Sequence, residues 1–214
     1  DLIIQSKSGI VDGTFNLTKD HILKSVDGIL ERLDTDYLDV LLLHRPDALV
    51  EPVEVNEAFR ILHASGKVKW FGVSNQAAYQ MELLQGELDY PLVANQVQFS
   101  LKHTNIIDHG FNVNMNNEAG VYRGAGIVEY ARMNSQTLQA WSPFYTGYFE
   151  SVFIDNDDFN ELNVCLEKIA QKYNVSKEAI AVSWILRHPA QIQVLVGTMT
   201  PERIRNIAKA GNFK

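Results

Sequence analysis

Six short apolar runs alternate along the chain with segments whose apolar residues recur at helical spacing. The runs lie at 2–7, 37–44, 68–74, 92–99, 137–142 and 192–197, each of strand length. Tyr-Leu-Asp-Val-Leu-Leu-Leu at 37–43 is nearly continuous, as expected of a strand covered on both faces, and it stops at His44-Arg45-Pro46-Asp47. Between the first two runs, Thr18 stands where a helix cap belongs, and Ile22, Val26, Ile29, Leu30 and Leu33 share one face of the segment that follows. Pro52 suits a first helical turn and Gly66 a helix stop. Further helices are predicted over 77–85 (ended by Gly86), 126–133, 159–173, 177–188 (capped by Ser176, stopped by Pro189) and from Thr200-Pro201 onward.

Strands alternating with helices imply βα units and a parallel sheet, either doubly wound or closed into a barrel. No G-x-G-x-x-G follows any of the strands, so the nucleotide-binding doubly wound sheet lacks its usual fingerprint. The expected fold class is therefore α/β, a (β/α)8 TIM-type barrel with about six of its eight parallel strands present, in a single domain over residues 1–214. The segments 103–125 and 144–160 are expected to be long loops at the carboxyl ends of strands, where functional loops of such barrels sit. Tyr145, Tyr148, Phe149 and Phe153 in the second loop could be a lid over the site or ordinary packing.

Composition narrows the function. A net charge of −7 disfavours a nucleic-acid backbone as partner, and no apolar run approaches the length of a membrane span. The single cysteine, Cys165, permits no intrachain disulfide and is read as an inert core residue on the apolar side of its helix. The acidic run Asp155–Asp158 reads as a solvated loop. A reducing cytoplasm is the expected setting. The chain opens at Asp1 and runs directly into a buried-looking strand, so a front portion is expected to be lacking.

Each strand end carries a polar or aromatic group: Lys7, His44, Ser74-Asn75, Asn95-Gln96, Trp141-Ser142 and Gly197-Thr198. No carboxylate pair stands among them, which disfavours glycoside hydrolysis, and no metal-ligand spacing occurs. An indole face with hydroxyl and amide hydrogen-bonders suits a flat heteroaromatic amide such as nicotinamide. Thr200-Pro201-Glu202-Arg203 opens the last helix, whose N-terminal amides and Arg203 could hold phosphate or stack on adenine. Taken singly, His44 could be a hydrogen-bonded structural imidazole, Lys7 a solvated lysine, Trp141 core packing and Arg203 a surface arginine. Ser74, Asn75 and Gln96 could likewise be satisfied buried groups that hold loops.

The order of these motifs resembles the aldo-keto reductase family over nearly the whole chain, closest to bacterial oxidoreductases with the HRPD and GVSN motifs. The resemblance implies that Lys7 and His44 are catalytic. It places Ser74, Asn75 and Gln96 on the carboxamide of the cofactor, Trp141 under the nicotinamide ring and Ser142 near the pyrophosphate, with Phe144 in the same cofactor-binding motif. Thr198, Met199, Thr200 and Arg203, in Gly197–Ile204, would take the adenosine end. The implied cofactor is NADPH, with NADH open because Gly197 stands where many members have lysine. The implied reaction is reduction of a small-molecule aldehyde or ketone, with His44 orienting the carbonyl and Lys7 tuning a tyrosine proton donor. That tyrosine and an aspartate partner of Lys7 would precede this sequence, on the first two βα units, so the chain alone is expected to be catalytically incompetent. A non-catalytic binding or regulatory module of the same barrel family is the alternative, and an unrelated TIM-barrel enzyme a weaker one. Oligomeric state stays open.

Overall fold

A computed structural model describes residues 2–121, 124, 126–148 and 150–213. Its contacts divide the chain into one unit of residues 1–96 and 129–136, and a second of 97–128 and 137–214.

The first unit is built on strands β1 (Gln5–Ser8), β4 (Leu38–Leu43), β5 (Val68–Ser74) and β6 (Leu92–Gln98). They are hydrogen-bonded in that order and run parallel, with Lys7 opposite Leu42, Leu43 opposite Val73 and Ser74 opposite Gln96. A small antiparallel ribbon, β2 (Ile10–Val11) with β3 (Thr14–Phe15), follows β1 and turns at Asp12-Gly13, both with positive φ. The isolated Asp-Gly pair is the hairpin signal, too short to stand out among the longer apolar runs.

Helices α1 (Lys19–Leu33), α2 (Pro52–Ala64) and α3 (Ala78–Gln85) pack on the strands. Ile22, Val26, Ile29 and Leu30 of α1 meet Val55, Phe59 and Leu62 of α2 and Leu41, Leu43, Phe71 and Val73 of the strands in one buried core. Phe59 and Phe71 stack with ring centres 3.9 Å apart and planes 10° from parallel. Thr18 occupies the N-cap position of α1, yet its hydroxyl turns back to Asn16 Oδ1 at 2.7 Å and caps nothing. The strands are not covered evenly. Leu41, Leu42 and Leu43 are fully buried, whereas Trp70 on β5 is 54% exposed.

In the second unit β7 (Thr137–Trp141) pairs in parallel with β8 (Gln193–Val194). The sixth apolar run extends further in sequence than its strand does. After Leu195 donates to Ala140 O at 2.9 Å, the backbone leaves the ladder and runs toward the last helix. Together the described residues supply six parallel strands interleaved with helices, the α/β architecture expected. Helices α4 (Asn105–Phe111), α5 (Ile127–Met133), α6 (Asn160–Tyr173), α7 (Lys177–Leu186) and α8 (Pro201–Ala208) complete the order. Helix α4 lies inside a segment expected to be loop throughout, because its asparagines and glycine masked a short Ile106-Ile107 apolar face. Ser176 caps α7 as expected, accepting from Ala179 N at 3.2 Å.

Cys165 departs from expectation: it is exposed. The buried stripe of α6 is Asn163, Leu166 and Ala170, and Val164 and Cys165 fall on the outer side. Among the described residues no helix is long and apolar enough to cross a membrane.

Candidate functional site

In the first unit the parallel register brings the carboxyl ends of four strands level. His44 continues the ladder past β4, its N–H donating to Ser8 O at 2.8 Å, one residue beyond Lys7. Gly9 then takes φ +111°, a conformation L side chains rarely adopt. A Cβ there would lie 2.6 Å from Leu17 Cδ2 and 3.8 Å from His44 N. Lys7 is therefore followed by a pivot that only glycine fits.

Lys7 Nζ donates to Gln96 Oε1 at 2.5 Å. Burial lowers the pKa of this half-buried amine, and no carboxylate among the described residues counters that. His44 is also lowered, first by burial and then by the charges of Lys7 and Arg45. Both groups are thereby biased toward their neutral forms.

Ser74 and Asn75 close the other side. Ser74 Oγ donates to Gln96 O at 2.8 Å and accepts from Asn75 Nδ2 at 2.9 Å. Asn75 sits in the left-handed region at φ +57°, its N–H also donating to Gln96 O at 2.9 Å and its amide reaching His44 O at 3.4 Å. The turn is prepared by an irregularity: Phe71 faces Leu92 while Val73 faces Asn95, so β6 carries one more residue than β5 there. Gly72, at that point, approaches Ala94 so closely that a Cβ would sit 2.7 Å from its carbonyl oxygen. Asn95 points away from this cluster, its Nδ2 donating to Gln76 O at 2.9 Å. Asp47 of the HRPD motif accepts from Leu17 N at 3.0 Å and Leu49 N at 2.9 Å, bracing the loop after His44.

The second unit holds a cleft of about 730 Å³, lined among others by Trp141, Ser142, Phe144, Thr198 and Arg203. Ser142 adopts φ +51°, and its carbonyl accepts from Tyr145 N at 3.1 Å, so the chain folds back over the cleft wall. Tyr148 presents its edge to the Trp141 ring at 6.1 Å. Thr198 Oγ1 accepts from Thr200 N at 3.2 Å, which sets the entry of α8. Met199 is 95% exposed, and neither it nor Thr200 lines the cleft. Of the aromatic cluster, Phe153 is fully buried as packing, Tyr145 lines the cleft, Tyr148 is largely exposed, and Phe149 lies outside the described residues.

Asp155 and Glu178 line the same cleft, opposite in charge to Arg203. Neither was foreseeable as a site residue. Glu178 is the second residue of α7, and only the Ser176 cap hinted at which turn it would occupy. Asp155 is brought in by Asn163, a buried side chain on α6. Its Nδ2 donates to Phe153 O at 2.7 Å and its Oδ1 accepts from Asp155 N at 2.9 Å. Asp155 also forms an ion pair with Lys177. Among the described residues no cluster of histidine, cysteine or carboxylates suits a metal ion.

A strand-end lysine and histidine and an amide-bearing turn thus stand on parallel βα units of the first unit, and an aromatic cleft lies in the second. The chain belongs to the aldo/keto reductase family, matching it over residues 1–214. It is 35% identical over 196 residues to a 6-dehydroglucose reductase of Agrobacterium fabrum, an alignment covering 92% of this chain and 59% of that protein. It is 34% identical over 220 residues to the oxidoreductase YdhF of Escherichia coli, covering 99% of this chain and 67% of that one. A crystal structure of a putative 2,5-diketo-D-gluconic acid reductase B superposes with a TM-score of 0.74 at 24% identity, over 99% of this chain and 63% of that chain. The chain thus spans about three fifths to two thirds of the length of these relatives.

Proposed function

We propose that the chain is part of an NAD(P)H-dependent reductase of small aldehydes or ketones, its residues 1–214 forming one partial barrel domain in a cytoplasmic protein. The observation that carries this reading is the cleft of the second unit. It joins an indole face, the hydroxyls of Ser142, Tyr145 and Thr198 and a guanidinium in a volume of about 730 Å³, within the range of small-molecule and cofactor pockets. Trp141 offers its face to the nicotinamide ring, with Phe144 beside it. Ser142 serves the pyrophosphate, and Thr198 and Arg203 serve the adenosine end, whereas Met199 and Thr200 stand off the cleft. When bound, the cofactor supplies the hydride.

The chain's own residues do the rest. Ser74, Asn75 and Gln96 are held by one another's hydrogen bonds and present amide and hydroxyl groups suited to a carboxamide. His44, biased toward the neutral imidazole, can donate one N–H to a carbonyl oxygen and orient it. Lys7, whose charge acts on that imidazole, would depress the pKa of a phenol placed beside it. Its amine is bound to an amide oxygen, and no carboxylate among the described residues offsets its burial.

NADPH is the proposed cofactor, with Arg203 as the lining cation for its 2′-phosphate. Tryptophan fluorescence titration of the chain with NADPH and NADH tests this directly. Saturable quenching that Trp141→Leu abolishes supports the cleft. Quenching by neither dinucleotide removes the reading, and tighter binding of NADH corrects its cofactor.

A further inference from the structure

Charges of both signs line the cleft of the second unit. Among the described residues they are Asp155, Glu178 and Arg203. The Asp155 carboxylate is offset by its ion pair with Lys177. Glu178 and Arg203 have no such offset: among the described residues no ion pair or hydrogen bond engages either charged group, so they share one cleft without neutralising each other. Gly197 lines the same wall, with open space where its Cβ would stand, and adds no second cation.

Packing fixes where the carboxylate sits. The Ser176 cap sets the first turn of α7, and Ala179, the residue after Glu178, is buried in one cluster with Ile207 of α8 and the partly buried Val196. Ile207 follows Arg203 by one helical turn, and both line the cleft beside Val196 and Thr198. The half-buried Glu178 therefore borders the α8 end of the cleft, where Arg203 also stands. An ionised carboxylate only accepts hydrogen bonds. It gains one from a ribose 2′-hydroxyl but repels a 2′-phosphate, whereas a guanidinium binds the phosphate with charge assistance.

We propose that Glu178 is a specificity-determining residue, set against Arg203, that keeps the cleft open to NADH as well as NADPH. Glu178 accepts the 2′-hydroxyl of NADH, and Arg203 takes the 2′-phosphate of NADPH. Neither cofactor gains the strong preference that one of these charges alone would give. The inference rests on the cleft's being a dinucleotide site.

The test is titration of the whole chain with NADPH and NADH at low ionic strength, followed by tryptophan fluorescence. Wild-type dissociation constants within about tenfold of each other are expected. Glu178→Gln should shift the ratio toward NADPH by about five- to tenfold, and high salt should narrow that shift as it screens the charges. Glu178→Asp, which keeps the carboxylate, should stay near the wild-type ratio. Circular dichroism reports whether the glutamine variant folds. If it does not, Glu178→Ala, with a strong helix former in that turn, should give the same shift. A carboxylate that merely supports the first turn of α7 would lower the melting temperature and weaken both dinucleotides alike. An unchanged ratio in a folded variant overturns the proposal alone, as does a wild-type preference beyond about a hundredfold. Quenching by neither dinucleotide removes the cofactor cleft itself, and this proposal with it.

Discussion

The main-chain oxygen of Gln96 accepts the Ser74 hydroxyl at 2.8 Å, tying the end of one strand to its neighbour just where the backbone turns left-handed at Asn75. Ser74 is almost fully buried, so its hydroxyl cannot exchange this partner for water. Ser74→Ala should cost about 1–2 kcal/mol, the typical loss when a buried hydrogen bond is removed and its partner left behind. Urea unfolding measures it, and a loss below the experimental error would mean the turn is held by Asn75 alone.

Gly72 makes the same joint possible. An added Cβ would lie 2.7 Å from both Ala94 O and Leu42 Cδ2, with backbone on one side unable to yield. Gly72→Ala should destabilise by about 1–3 kcal/mol, as overpacked cores do. Gly110 in α4 is the control, since a Cβ there meets nothing within 4 Å. Gly110→Ala should raise stability by about 0.5–1 kcal/mol through helix propensity. Opposite signs for the two changes in one denaturation series are the expected result.

Large-to-small change in the first core should be expensive. Phe71 is fully buried and stacked on Phe59, so Phe71→Ala should cost about 3–5 kcal/mol by urea unfolding. Phe71→Leu should cost distinctly less.

His44 makes stability depend on pH. Its folded pKa lies below the ordinary 6.5, so the unfolded chain takes up its proton first as pH falls. Its stabilising effect is complete above pH 6.5 and is lost as pH falls from there through the folded pKa. His21 and His103 are lowered too, mainly by burial, and add to the same decline. His44→Gln should flatten, though not abolish, the loss of stability between neutral and mildly acidic pH. An unchanged slope would show that the imidazole is freely protonated in the folded state.

Much of this was legible in the chain because apolar runs and helical spacing report burial directly. Val68–Ser74 falls where its pattern places it, and the strand ends at Lys7, His44, Ser74 and Gln96 follow from where the apolar residues stop. Features that depend on pairing leave no such pattern. The β2–β3 ribbon is defined by cross-strand bonds, not by periodicity. The sixth apolar run continues past its two-residue strand, since apolar side chains can pack without a ladder. The apolar pattern places Cys165 on the inner side of α6, whereas it is outer because an asparagine, not a hydrophobe, completes the buried stripe. Asn163 was hidden for the same reason: its burial is justified by hydrogen bonds to loop atoms far from its helix in pattern but near in space.

Gly9 separates two kinds of tolerance along the rim. Behind it, Lys7 is locked by the ladder to β4, while ahead of it the Asp12-Gly13 tip stands open, with nothing within 4 Å of a Cβ at Gly13. Insertions or exchanged residues in the ribbon should therefore alter what borders the strand ends without displacing the amine. The pivot works as a joint between a part that can be redesigned and a part that cannot.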